Sequence, residues 1–132
     1  MTDEDAIEFP GDPTTEPFWR AAVEHRLVVQ RCTSCRTYQF YPRPVCLKCF
    51  TLELEWVPVS GRGTVYSKTT VRIPVIEEMT PPYVAAIVEL DEGPRLTTNL
   101  VGEEAAIGDT VTVSWRDRPG LPPLPVFEVG GA

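Results

Sequence analysis

Cys32-Thr33-Ser34-Cys35-Arg36-Thr37-Tyr38-Gln39-Phe40-Tyr41-Pro42-Arg43-Pro44-Val45-Cys46-Leu47-Lys48-Cys49 is the stretch on which the fold turns. It gathers all four cysteines of the chain as two Cys-x2-Cys pairs separated by ten residues. Each pair can close into a tight knuckle whose two thiolates converge on one ion. Two facing knuckles supply the four soft ligands of a closed tetrahedral Zn²⁺ site, with Zn–S bonds near ~2.3 Å. The spacer is shorter than the roughly fifteen to twenty residues of common patterns, but long enough to turn one knuckle toward the other.

Two other uses of the cysteines compete with zinc. A pair of disulfides is disfavoured where a cytosolic chain keeps its thiols reduced. Iron in a rubredoxin-type redox site is the other, because the same four thiolates bind it well. Rubredoxins usually carry glycine just after each knuckle, where this chain has Arg36 and Phe50. A closed set of four thiolates leaves no open coordination position, so the ion is expected to be structural rather than catalytic. Metal binding contributes on the order of 10 kcal/mol or more to folding such a module. It stands in for a core too small to form alone.

Around the knuckles lie Arg31, Arg36, Arg43 and Lys48, interleaved with Tyr38, Phe40 and Tyr41. Cations here offset the negative charge of a tetrathiolate centre. The alternative role is contact with a phosphate or nucleotide. Arg43 is the favoured candidate, because Pro42 and Pro44 stiffen its backbone and its planar fork of donors suits phosphate.

Working outward, residues 1–14 form an acidic arm. Asp3, Glu4, Asp5, Glu8, Asp12 and Glu16 all precede the first basic residue, Arg20. The chain's net charge of −7 therefore sits mostly in this leader, and the remainder is close to neutral. That balance argues against a strong polyanion binder, which usually presents an overall basic surface. A short helix is expected from about Glu16 to His25, with Thr15 as cap, Pro17 in the first turn and Glu16 at the positive end of the dipole. Phe18 with Ala22, and Trp19 with Val23, share faces at i,i+4. The aromatics either pack on the next module or, with Tyr41, meet a partner subunit.

Leu27–Arg31 reads as a strand entering the cysteine region. Downstream, Glu53–Val59, Thr64–Ile73, Tyr83–Asp91, Arg95–Val101 and Thr110–Arg116 are expected strands, with Val126–Val129 a short terminal one. The ten-residue alternation Thr64–Ile73 is long enough to bend and serve both sides of a small barrel. Gly61 and Gly63, Pro81–Pro82, Gly93–Pro94 and Gly108–Asp109 supply turns. Gly102–Ile107 suits one helical turn. Leu121–Pro125, rich in proline, must be extended but is expected to resist ladder pairing. Five strands match an OB-type barrel better than a sandwich of about seven. The fold class is thus mainly β: a short N-terminal helix, a zinc ribbon and a five-stranded OB-type barrel. The expected organisation is arm 1–14, helix plus ribbon 15–52, and barrel with Pro-rich tail 53–132.

No run of eighteen apolar residues exists and no signal-peptide pattern opens the chain, so a cytoplasmic protein is expected. Catalytic parts are missing. Histidine occurs once, as His25, expected near the helix end against the dipole or solvent. Gly61-x-Gly63 lacks the surroundings of a dinucleotide loop, and Glu77–Glu78 and Glu103–Glu104 read as solvated charge.

These residues together resemble one family. The order Phe18-Trp19, Cys32-x2-Cys35, Tyr41-Pro42-Arg43-Pro44, Cys46-x2-Cys49, Gly61-Arg62-Gly63-Thr64-Val65-Tyr66-Ser67 is similar to the acyl-CoA-associated zinc-ribbon/OB-fold proteins. Pro82-Tyr83-Val84, Val88–Leu96, Ile107-Gly108-Asp109 and Pro125-Val126-Phe127 continue the likeness, which spans about residues 15–129. Arg36, where members often have glycine, and Leu47, where proline is common, depart from it. The resemblance implies a rubredoxin-like ribbon with Cys32, Cys35, Cys46 and Cys49 holding structural Zn²⁺. It implies a non-catalytic subunit, with no catalytic residue to carry over, that pairs with a thiolase-superfamily enzyme such as a thiolase or thiolase-like aldolase. Some members associate instead with hot-dog-fold hydratases of steroid side-chain breakdown. An α2β2 heterotetramer with acyl-CoA at the joint is implied, its phosphates near Arg43 and Lys48, and Phe18, Trp19 and Tyr41 at the partner interface. The alternative is a nucleic-acid-binding zinc-ribbon/OB protein, which needs a basic groove with stacking aromatics.

Overall fold

The computed structural model describes residues 13–74, 79–101 and 105–129. Much of the expected acidic arm, the Glu77–Glu78 and Glu103–Glu104 pairs, and part of the Gly102–Ile107 turn lie outside the described residues. Among the described residues, no helix is long and apolar enough to cross a membrane.

One helix precedes eight strands: α1 (Glu16–Val23), β1 (Val28–Cys32), β2 (Tyr38–Gln39), β3 (Leu54–Pro58), β4 (Arg62–Val71), β5 (Tyr83–Leu90), β6 (Arg95–Leu100), β7 (Thr110–Arg118) and β8 (Leu121–Val129). The chain divides into two compact units, Met1–Ser60 with Trp115–Leu124, and Gly61–Ser114 with Pro125–Ala132.

In the first unit α1 turns Phe18, Ala21 and Ala22 inward. Pro17 sits in the first turn as expected, and Glu16 pairs with Arg20 one turn on, at 2.7 Å. Thr15 holds the N-cap place, but its side chain makes no capping hydrogen bond; its carbonyl receives the amides of Phe18 and Trp19 instead. Leu27, Val28 and Val29 are buried, and β1 forms the centre of a three-stranded antiparallel sheet in the order β2-β1-β3. His25 is exposed just past the helix end, as expected, and also stacks flat on Trp115 with ring centres 5.5 Å apart.

The second unit is organised by a closed barrel, β4-β5-β6-β8-β7. Strict alternation drives it: along β5, Val84, Ala86, Val88 and Leu90 point inward, and β6 adds Leu96 and Leu100. Long β4 bends as expected. Its register against β5 shifts between Val65 and Ser67, while Arg62–Thr64 also pair with β7. Gly63 lies at that shared edge, where a Cβ would come within 2.5 Å of the Glu89 carbonyl oxygen. Only glycine permits two backbones to meet there.

Two strands differ from expectation. The segment 53–59 yields β3, which pairs with β1 from Val28↔Pro58 to Cys32↔Leu54 and so completes the ribbon sheet, not the barrel. The fifth barrel strand is β8, which extends the expected Val126–Val129 back through the prolines to Leu121. Proline removes amide donors but leaves carbonyls, and side chains serve them. Thr98 Oγ1 donates to Pro125 O at 2.9 Å, and the Arg118 guanidinium donates to Pro122 O at 2.8 and 3.0 Å. Where the prolines end, the ladder resumes, with Leu100 opposite fully buried Phe127 in parallel register.

Candidate metal centre

The knuckles are two copies of one hexapeptide plan, Cys32-Thr33-Ser34-Cys35-Arg36-Thr37 and Cys46-Leu47-Lys48-Cys49-Phe50-Thr51. In each, the residue after the second cysteine donates its amide to the carbonyl of the first: Arg36 to Cys32 and Phe50 to Cys46, both at 2.8 Å. The first cysteine's amide returns to the threonine carbonyl, Cys32 to Thr37 at 3.0 Å and Cys46 to Thr51 at 2.9 Å. Closing so tight a turn forces the left-handed region, φ 64° at Arg36 and 62° at Phe50. Glycine adopts that region without steric cost. The sequence departures at these sites thus carry backbone strain inside an intact knuckle.

The four sulfurs lie within 4.8 Å of one another. Cys32 Sγ is 3.5 Å from Cys49 Sγ, and Cys35 Sγ is 3.6 Å from Cys46 Sγ. A tetrahedron with metal–sulfur bonds of ~2.3 Å has edges of about 3.8 Å, so the set fits one tetrahedral ion. Cys32 and Cys46 are fully buried, whereas Cys35 and Cys49 are half-buried.

Donors are aimed at the sulfurs. The Cys35 amide reaches Cys32 Sγ at 3.4 Å, and the Lys48 and Cys49 amides reach Cys46 Sγ at 3.4 and 3.5 Å. The Thr37 and Thr51 hydroxyls lie 3.3 Å from Cys35 Sγ and Cys49 Sγ. The Cys35 amide pulls the Cys32 thiol down to about 6, against the opposing effect of burial. The Thr37 hydroxyl and amide likewise lower Cys35. At Cys49 the Thr51 hydroxyl and amide pull downward, but burial and the neighbouring thiols Cys32 and Cys46 prevail and raise it. Cys32 and Cys35 thus form thiolates readily while Cys49 resists beside its neighbouring thiols, a repulsion that a divalent cation removes. With all four sulfurs engaged such an ion has no position left for a substrate.

The connecting loop is held by two buried amides. Gln30 and Gln39 face each other across β1 and β2. Gln39 Nε2 donates to Gln30 Oε1 at 2.9 Å and to Val45 O at 3.3 Å, while its Oε1 accepts from Leu47 N at 3.1 Å. Gln30 Oε1 accepts from Arg43 N at 2.8 Å, and its Nε2 donates to Arg43 O at 2.7 Å. Arg43 stands exposed, its guanidinium 5.8 Å from the Tyr41 ring centre. Lys48 is exposed on the second knuckle, and among the described residues neither cation has a carboxylate partner.

Of the aromatics expected at a partner surface, Tyr41 is 55% exposed and Trp19 half-buried, whereas Phe18 is 5% exposed. Phe18 meets Trp19 edge-on at 4.9 Å and Phe40 at 5.4 Å. Phe40 meets Tyr41 at 5.6 Å, so the rings form a row Trp19–Phe18–Phe40–Tyr41 that ends at the exposed Tyr41. Four functional side chains escaped the sequence reading: Thr37, Thr51, Gln30 and Gln39. The repeated Cys-x2-Cys-x-Thr was the available signal for the threonines. The glutamines had none.

Two family descriptions match the chain: "ChsH2, rubredoxin-like zinc ribbon domain" over residues 19–55 and "ChsH2, C-terminal OB-fold domain" over residues 56–116. A probable enoyl-CoA hydratase alpha subunit of Thermomonospora curvata is 41% identical over 114 residues, 83% of this chain but 36% of that protein. This chain therefore spans about a third of that relative's length. A DUF35 domain-containing scaffold protein of Methanocaldococcus jannaschii is 38% identical, with 74% of each chain covered. The benzoylsuccinyl-CoA thiolase subunit BbsA of Geobacter metallireducens is 37% identical over 73 residues, covering 55% of this chain and 49% of the other. A chain in the solved structure of the Ltp2-ChsH2(DUF35) aldolase superposes with TM-score 0.82 at 38% identity, covering 90% of this chain and 96% of that one.

Proposed function

The chain belongs to the ChsH2 family of zinc-ribbon and OB-fold proteins, and from that membership we propose that it is a non-catalytic scaffold subunit of a thiolase-type acyl-CoA enzyme. One observation carries the reading: the metal-ligating cluster among the described residues is a closed tetrathiolate set, which builds structure and leaves chemistry to another chain. The scaffold, thiolase-subunit and aldolase relatives support the same assignment. Cys32, Cys35, Cys46 and Cys49 hold Zn²⁺, the residue after each pair closing the knuckle. The partner supplies nucleophile and base, and this chain stabilises it and helps form the acyl-CoA channel. An α2β2 heterotetramer in the cytoplasm, where the thiols stay reduced, fits the role. A thiolase-like aldolase acting on an acyl-CoA side chain, steroid side chains included, is the favoured partner.

Acyl-CoA phosphates lie near Arg43 and Lys48, cations without carboxylate partners among the described residues. Tyr41 and Trp19 meet the partner, with Phe18 packed behind them. Nucleic-acid binding is disfavoured by charge, because the chain beyond its acidic leader is close to neutral rather than basic.

Native mass spectrometry of the protein isolated from its own cells tests the assignment. The expected mass contains one Zn²⁺ per chain and an equal number of thiolase-type subunits. A metal-bearing chain that turns over an acyl thioester alone would sink it.

A further inference from the structure

The loop between the knuckles poses a physical question that metal binding does not answer. Gln30 is 4% exposed and Gln39 8%, and they stand where the sheet would accept apolar side chains. Enclosing an amide is unfavourable unless its donors and acceptors are met. Here they are met almost wholly by backbone of residues 43–47. Gln30 grips both the amide and the carbonyl of Arg43, the pairing a neighbouring strand would provide. Gln39 takes Val45 O and Leu47 N. The network also fixes both amides in one orientation, since flipping Gln39 would set carbonyl oxygens against Gln30 Oε1 and Val45 O. Pro42 fixes its own φ, and Pro44 excludes helical backbone at Arg43. The constrained residue is an exposed arginine whose charge no carboxylate answers among the described residues.

We propose that Gln30 and Gln39 are positioning residues that pre-set Arg43 for the phosphates of an acyl-CoA. The inference rests on the acyl-CoA reading above and adds the device that makes the contact efficient. A loop ordered before binding loses little entropy when the ligand arrives, so the guanidinium's attraction is not spent on ordering backbone. The knuckle cysteines do not require this clamp, because each turn is closed by its own amides.

The test uses the full chain with its co-purified partner, coenzyme A as probe, and pantetheine, which lacks the phosphates, as control. Arg43→Gln is expected to weaken coenzyme A about tenfold or more and leave pantetheine unchanged. Gln30→Met, with metal content and partner association intact, is expected to weaken coenzyme A about five- to tenfold. In the Arg43→Gln background Gln30→Met is expected to add nothing, because it acts through that arginine. Equal loss in both backgrounds, or no loss from Gln30→Met alone, overturns the proposal while leaving the acyl-CoA reading standing. No effect of Arg43→Gln overturns that reading and the proposal with it. If Gln30→Met loses metal, Gln39→Met takes its place in the same cycle. If both lose metal, amide exchange in the unaltered protein decides: protection of the Arg43 and Leu47 amides supports the clamp, and free exchange overturns it.

Discussion

Arg36 and Phe50 occupy the same place in successive knuckles, fourteen positions apart, with φ of 64° and 62° and matching 2.8 Å bonds to Cys32 O and Cys46 O. Neither is glycine, and Phe50 is 75% exposed, so its ring offers little packing in return for the strained backbone. A non-glycine residue held left-handed costs about 1–3 kcal/mol. Glycine removes that cost but enlarges the unfolded ensemble by roughly 0.5–1 kcal/mol. Arg36→Gly and Phe50→Gly are therefore expected to match or exceed the parent in stability, while Arg36→Val falls about 1–2 kcal/mol below it. Thermal melts of metal-loaded protein check this. A glycine variant melting well below the valine variant would show that the turn is not strained.

The sulfur cage makes a sharper prediction. Cys46→Ser replaces a fully buried ligand, and the ribbon is expected to lose its ion and unfold, since metal binding supplies about 10 kcal/mol or more to such modules. A strong chelator is expected to do the same to the parent. Metal analysis and far-ultraviolet circular dichroism report both effects, and colourless, zinc-containing protein excludes the rubredoxin-type iron alternative. Ordered, metal-free ribbon after chelation would refute the structural role.

Acid is expected to release the ion, and the sign follows from Cys32. Its thiol is lowered from 9.0 to about 6, so the anion forms more readily in the fold than in the unfolded chain. That contribution is fully present above the unfolded value and is lost as pH falls through about 6. A bound cation competes further with protons and moves release lower still. Titration with a metallochromic chelator is expected to find stable binding at neutral pH and a release midpoint at or below about 6. A midpoint above neutrality would contradict the donor pattern around Cys32.

Much of this was legible from the chain because two signals are local. Cysteine spacing marked the knuckles without any knowledge of their neighbours, and alternation marked β4. Partnership of strands is not local. Leu54–Pro58 reads as a strand either way, and only its hydrogen bonds to Val28–Cys32 assign it to the ribbon. β8 was hidden because prolines remove its amides, and its carbonyls are answered by side chains, Thr98 from 27 residues away and Arg118 from four. Gln30 and Gln39 were invisible for the opposite reason. A polar residue in a strand reads as solvent-facing, and nothing nearby in sequence shows that a loop will close over it.

The barrel can be challenged independently of the metal. A methyl group at Gly63 would lie 2.5 Å from Glu89 O and 2.7 Å from Val88 Cγ1, against backbone that cannot yield. Gly63→Ala is expected to cost about 1–3 kcal/mol, the range for forcing an extra carbon into a packed site. Metal content is expected to stay at the parent level, because the cysteines belong to the other compact unit. Chemical denaturation with metal analysis separates the two effects. An unchanged midpoint would mean that β4 and β5 do not approach as closely as described.

Phe18 lies inside the row of ring contacts Trp19–Phe18–Phe40–Tyr41 and Tyr41 at its exposed end, and the two are expected to fail differently. Phe18 is buried on the inner face of α1 and touches Trp19 and Phe40, so Phe18→Ala removes packing within the chain and is expected to cost about 3–5 kcal/mol of stability. Tyr41 is exposed, touching only the edge of Phe40 and the Arg43 guanidinium among the ring contacts, so Tyr41→Ala is expected to leave the melting temperature nearly unchanged. An exposed tyrosine earns its place at an interface, where truncating such an anchor commonly costs about 2 kcal/mol or more of binding. On the scaffold reading, Tyr41→Ala weakens association with the thiolase-type subunit about thirtyfold, a shift that sedimentation or surface plasmon resonance resolves. Conservative replacement by phenylalanine restores most of the affinity if the ring, rather than the hydroxyl, makes the contact. Unaltered association of Tyr41→Ala would move the partner surface away from this loop and toward another face of the chain.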